Sequence, residues 1–71
     1  MVSKTLRKFG DRVREERLKR SLSQEQLAAK AGVHRKYIGM IERAEKNITL
    51  ENIQKIAGAL NIKLSEIFRD I

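Results

Sequence analysis

The stretch SQEQLAAKAGVHRKYIGMIER, residues 23–43, decides the fold. Ser23 stands before an apolar-periodic run and has Gln26 three residues on. That is the spacing of a capping box, so a helix is expected to start there. Leu27 and Ala31 share one face of it, with Ala28 beside them. Ala28 is small where two helices must cross closely. Gly32 takes a positive φ without penalty, as a helix end followed by a sharp turn requires. Val33 packs into the corner, and a second helix is expected from about His34. Its Ile38 and Ile41 face inward at i, i+3. Arg35, Lys36, Gly39, Met40 and Arg43 are left on an outer face that is cationic and, at Gly39, slim.

Outward from this unit the chain reads as helix throughout. Ser3 to Arg20 predicts a first helix, with Leu6, Phe9, Val13 and Leu18 near one stripe. Gly10 inside that stripe costs about 1 kcal/mol relative to Ala, which predicts close approach of another helix. Arg17 lies near the same stripe, and Glu42 directly follows Ile41. Two readings fit them: a half-buried pair locking the first helix to the third, or two solvated charges. Ala44 to Asn47 has no periodicity, and Asn47 is the residue expected to tolerate left-handed geometry there. Thr49 caps a fourth helix, Leu50 to Leu60, with Leu50, Ile53, Ala57 and Leu60 on one face and Ile56 widening it. Asn61 ends it. A fifth helix from about Lys63 or Leu64 would carry Leu64, Ile67, Phe68 and Ile71 as one stripe. Either Ile67, Phe68 and Ile71 all complete the monomer core, or part of this face pairs with a second copy by two-fold symmetry. There is no strand signal, repeat or proline. The expectation is an all-α, five-helix single domain over residues 1–71.

Composition narrows the function. Sixteen Lys and Arg against nine Asp and Glu give a net charge of +7, which suits a polyanionic partner. A merely soluble basic surface is the plain alternative. A chain of 71 residues buries only about 60% of its unfolded surface, so a second copy would help stabilise it. With no cysteine and one histidine, neither a disulfide framework nor a metal site is expected. No cofactor, small-molecule substrate or membrane partner is expected. No apolar run approaches the length of a membrane span, and no signal peptide is visible. The protein is expected to be soluble and cytoplasmic. No Cys nucleophile, Ser–His–acid set or glycine-rich phosphate loop suggests an enzyme.

Over these residues the chain resembles the helix-turn-helix transcriptional regulators of the phage lambda repressor and Cro type. The resemblance runs from about Phe9 to Phe68, through SQEQLA, AGV, YI, IER and LENIQKIAGALNI. More narrowly, HRKYIGMIERAEKNITLENIQKI looks like the controller proteins of restriction–modification systems. Those are small homodimeric regulators of their own gene and of the endonuclease gene. The resemblance implies a lambda-repressor-like fold, a homodimer and a double-stranded DNA operator, with RNA polymerase as a candidate further partner.

It also implies roles at matching positions. Arg35 and Lys36 would read base edges, with His34 and Met40 beside them. Ser23, Gln24, Tyr37, Arg43, Lys46 and Asn47 would hold phosphates. Gln24 otherwise reads as a polar first-turn residue, and Tyr37 as a tyrosine at the core rim. Arg17 and Glu42 match a buried ion pair, and Leu64, Ile67, Phe68 and Ile71 would form the dimer interface. Three positions depart from the pattern. His34 stands where Ser or Thr frequently caps the helix. Met40 offers only apolar contact where some relatives carry a polar reader. Ala44 replaces a frequent Gly, which bears on the loop that follows. Rival readings are an antitoxin or immunity-type repressor of the same fold, a protein-interaction module without DNA, and a basic amphipathic membrane-surface binder.

Overall fold

A computed structural model describes residues 3–71. Five helices follow in order: α1 Lys4–Lys19, α2 Gln24–Ala31, α3 Arg35–Glu42, α4 Leu50–Leu60 and α5 Leu64–Ile67. Each of the first four starts at a side-chain cap. Ser3, Ser23, His34 and Thr49 accept backbone N–H groups of the following turn. Ser23 and Gln26 form the full capping box, each side chain bonded to the other's backbone. α5 lacks such a cap at Lys63.

All five helices feed one core. Val13 of α1, Leu27 of α2, Ile38 of α3, Ile56 and Leu60 of α4 and Ile67 of α5 are fully buried. The stripe on α1 differs from the one expected. Phe9, Val13 and Arg17 are buried at i, i+4, i+8, whereas Leu18 is more than half exposed. At the helical repeat, Leu18 lies about 180° around α1 from Phe9. Leu50 is also exposed rather than part of the α4 face. It is the first helical residue, and helical side chains lean toward the N-terminus, so it points past the helix start.

The chain reverses four times by the same device. The N–H of Leu22 bonds to Arg17 O, Val33 to Ala28 O, Glu45 to Met40 O and Ile62 to Ala57 O, each at 2.9–3.1 Å. The residue before each donor is left-handed: Ser21 (φ 55), Gly32 (φ 72), Ala44 (φ 58) and Asn61 (φ 56). These are Schellman endings, in which the donor often packs back on the helix. Leu22, Val33 and Ile62 do so, lying partly buried against the core. Ala44, not Asn47, therefore carries the left-handed backbone after α3. A left-handed L-residue costs about 1–2 kcal/mol, and burial of the Ala44 methyl offsets part of it.

The fifth segment is shorter than its stripe suggests. α5 is one turn, and a left-handed Asp70 (φ 65) redirects the chain before Ile71. Leu64, Ile67, Phe68 and Ile71 thus do not form one helical face. Ile67 is fully buried and belongs to the monomer core, so it is withdrawn from the pairing surface. Leu64 is half-buried, while Phe68 and Ile71 stay exposed. α1 pins the segment. Phe9 stacks on Phe68 with ring centroids 5.6 Å apart. Arg12 donates from Nη1 to Glu66 O at 2.7 Å and from Nη2 to Arg69 O at 2.8 Å. The guanidinium so ties two backbone carbonyls of this segment to α1.

Gly10 is where α1 meets the end of α3. A Cβ there would overlap the carbonyl oxygen of Ile41 and press on that of Glu42, both backbone atoms that cannot swing aside. Gly10→Ala should therefore destabilise by about 1–3 kcal/mol, despite alanine's better helix propensity. Gly58 sits on α4 with nothing near its own Cβ position. Gly58→Ala should stabilise by about 0.5–1 kcal/mol. Urea unfolding of both variants at one protein concentration checks the contrast. Equal signs would remove the close crossing from the account.

Candidate nucleic-acid interface

Helices α2 and α3 together shape a shallow surface cleft. Ser23, Gln24 and Glu25 of the α2 start line one side, with Arg17 at its floor. Arg35, Lys36, Gly39, Met40 and Arg43 line the other. The floor is a charged network. Arg17 donates from Nε to Glu42 Oε2 at 2.7 Å and from Nη2 to Glu42 Oε1 at 3.0 Å. Its Nη1 donates to Leu22 O at 2.9 Å. The pair is buried, with side chains 10% and 4% exposed. Glu42 raises the Arg17 pKa above its usual value, chiefly through these hydrogen bonds. Gln24 joins by donating from Nε2 to Glu42 Oε1 at 3.2 Å. One carboxylate thus fixes side chains from α1 and α2 against α3.

On this floor α3 presents its first turn. The His34 Nδ1 accepts from Lys36 N at 3.1 Å, so His34 caps the helix in place of the usual hydroxyl. With Nδ1 accepting, Nε2 is the ring nitrogen left to donate. His34, Arg35 and Lys36 are all exposed. Met40 is half-buried beside them. Gly39 is buried rather than bare on the outer face. A Cβ there would sit 3.0 Å from Arg43 Nη1 and 3.5 Å from Gln24 Oε1, the two side chains that cover it.

Within α3, Tyr37 is half-buried at the core rim, and its hydroxyl accepts from Asn52 Nδ2 at 3.0 Å. Its hydroxyl hydrogen remains a donor. Lys46 Nζ lies 5.9 Å from the centroid of the Tyr37 ring, a cation–π distance. Lys46 and Asn47 are exposed on the following loop. Ser23 has committed its Oγ to Gln26 N and its own N–H to Gln26 Oε1, so only its hydroxyl hydrogen is left to donate.

Sequence reasoning missed two carboxylates among these cations. Arg35 Nη1 lies 3.4 Å from Glu25 Oε2, a long, exposed pair. Arg43 donates from Nε to Glu45 Oε2 at 2.8 Å and from Nη2 to Glu45 Oε1 at 3.1 Å. Each holds the other charged: Glu45 is lowered by the Arg43 hydrogen bond and Arg43 raised by Glu45. No helical spacing signals this pair, because the two residues straddle the turn at Ala44. Among the described residues no group of His, Asp and Glu could hold a metal ion, and no helix is long and apolar enough to cross a membrane.

Residues 13–67 match the family model described as helix-turn-helix. Control protein C.BamHI of Bacillus amyloliquefaciens is 45% identical over 60 residues, covering 83% of this chain and 74% of that protein. The restriction-modification controller protein C.AhdI from Aeromonas hydrophila superposes with a TM-score of 0.87 at 49% identity, covering 89% of this chain and 96% of that one. The controller protein C.Esp1396I, solved as a tetramer in complex with its natural 35 base-pair operator, superposes with a TM-score of 0.87 at 32% identity. That match covers 93% of this chain and 87% of the other.

The buried network generates a stability prediction. Glu42→Ala strands the Arg17 charge and should cost about 3–5 kcal/mol. Glu25→Ala removes an exposed partner and should cost no more than about 1 kcal/mol. Thermal melts of the two variants beside the parent protein measure the difference. Similar small shifts in both would mean that the Glu42 pair does not anchor α3.

Proposed function

We propose, from the premise that the chain belongs to the helix-turn-helix family and to its restriction–modification controller proteins, that it is a sequence-specific DNA-binding transcription regulator. It acts as a homodimer on a two-fold operator. The observation that carries this reading is the exposed, cationic first turn of α3. It stands over a cleft whose floor is locked by Arg17 and Glu42. A helix that inserts into the major groove needs both properties: donors at its N-terminal end and a fixed angle to the body.

Roles follow from position. Arg35 lies in the first turn, and its planar fork suits guanine O6 and N7 together. Lys36, His34 and Met40 flank it. Gln24 and Ser23 at the α2 start, Tyr37, and the loop residues Arg43, Lys46 and Asn47 supply donors to the phosphates on either side. Such contacts set register without reading sequence. Phe68 and Ile71, with Leu64, provide the apolar surface for pairing two copies. The whole chain serves as one DNA-binding domain, has no catalytic role, and works where its operator lies, in the cytoplasm.

Three measurements follow. Affinity for a duplex selected by the protein should fall about 10³- to 10⁵-fold between about 50 and 200 mM salt, as for a dimer neutralising about 6–10 phosphates. A flat response would reduce the basic face to a soluble surface. Sedimentation at micromolar concentration should show a dimer, and Phe68→Lys should shift it to monomer. A parent protein that is monomeric both free and on DNA would end the two-fold reading. Finally, Arg35→Ala should cost about 1–3 kcal/mol per half-site and relax base preference at one position in each. Lys46→Ala should weaken selected and scrambled duplexes alike and lower the salt slope by about 1 per subunit. Equal weakening of both duplexes by Arg35→Ala would make Arg35 a phosphate clamp.

A further inference from the structure

Arg43 is an exposed cation of this face that is held by two side-chain hydrogen bonds. It caps the end of α3, and the left-handed Ala44 folds the next residue back toward it. The Glu45 N–H bonds to Met40 O at 2.9 Å, which fixes that return. Glu45 can therefore take two parallel N–H groups of Arg43, on Nε and Nη2. The third nitrogen, Nη1, lies over Gly39, where the absent side chain leaves room for it. The guanidinium is thus laid along the outer face of α3, within the same cleft as Arg35 and Lys36.

We propose that Glu45 is a specificity-determining residue: its carboxylate occupies the fork of Arg43 and withholds that cation from indiscriminate phosphate binding. This rests on the DNA-binding reading above. The Nε–Nη2 fork is the edge with which arginine grips a carboxylate or a phosphate in two parallel bonds. With Glu45 in place, a phosphate must displace a carboxylate to gain that grip, and it meets the carboxylate's repulsion as well.

A scrambled duplex is held only by such phosphate attraction, so it bears the penalty in full. In the operator complex the base contacts of α3 fix the pose, and Nη1 is the nitrogen that Glu45 leaves unused. Arg43 reaches backbone from there while keeping Glu45. Removing the carboxylate should accordingly help random DNA more than operator DNA. Both groups of the pair stay ionised at neutral pH, since each holds the other's charge.

The test compares Glu45→Gln with the parent protein on two duplexes of equal length. One is selected from a random pool by the parent, the other is its scrambled version. Affinity for the scrambled duplex should rise about 3- to 10-fold per dimer, with a salt slope steeper by about 1 per subunit. Affinity for the selected duplex should change less, so the ratio between them falls. In an Arg43→Ala background the same substitution should lose this selective effect. An equal gain on both duplexes, no gain on either, or a gain that persists without Arg43 would each overturn the proposal. If the parent protein binds no duplex at low salt, the DNA-binding reading fails and takes this inference with it. A parent that selects a duplex normally, while Glu45→Gln leaves the ratio unchanged, refutes only the role of Glu45.

Discussion

The buried bond between Arg17 and Glu42 is the constraint on which the geometry of the reading face depends. Three helices meet at one carboxylate: α1 through Arg17, α2 through Gln24, and α3 as its owner. Apolar packing alone would hold α3 near α2, but packing is non-directional and tolerates small rotations. A two-bond fork does not, because turning α3 about its axis breaks both bonds together. Arg17 is also tied to Leu22 O, which anchors the turn leading into α2. The network therefore sets the angle at which Arg35 and Lys36 leave the body. Its cost is desolvation of two charges, which makes it a device for geometry more than for stability.

Much of this architecture was legible because its signals are local. Ser23 with Gln26 and Thr49 before Leu50 marked helix starts through hydrogen bonds that span only three residues. Gly32 and Asn61 marked ends through their tolerance of left-handed backbone. Arg17 stood out because a charge lies near the apolar stripe of α1, although the stripe itself was drawn through Leu18 and the structure runs it through Arg17. Gly10 stood out because a glycine inside a helix needs a reason, and the Ile41 carbonyl supplies it.

The misreadings share a different cause. Ala44 takes a left-handed φ because the ending of α3 fixes that position, and burial of its methyl supports a residue that propensity alone would not choose there. Gly39 is buried by two long polar side chains, which a helical wheel scored by hydrophobicity places in solvent. Ile67 was grouped with Phe68 and Ile71 by spacing. Asp70 breaks the helix geometry that spacing assumes, and the core takes Ile67 alone. Glu45 escaped notice because its partner lies across a turn, where no periodic rule applies. In each case the outcome depends on where the chain goes next, which a window along the sequence does not contain.

The position of α1 links these parts. Within about one turn it touches both ends of the problem. Gly10 and, further along, Arg17 fasten it to α3, while Phe9 and Arg12 fasten it to the segment carrying Phe68 and Ile71. In the proposed dimer, pairing through that segment would place two copies of α3 at a separation fixed by the intervening structure. Operators demand such a fixed separation, since half-sites lie about one helical turn of DNA apart or at multiples of it. α1 is then the ruler between pairing surface and reading surface. Its contacts suit that task. The Gly10 crossing is backbone against backbone, and Arg12 grips carbonyls instead of flexible side chains. Neither end of the ruler can shift without moving main chain.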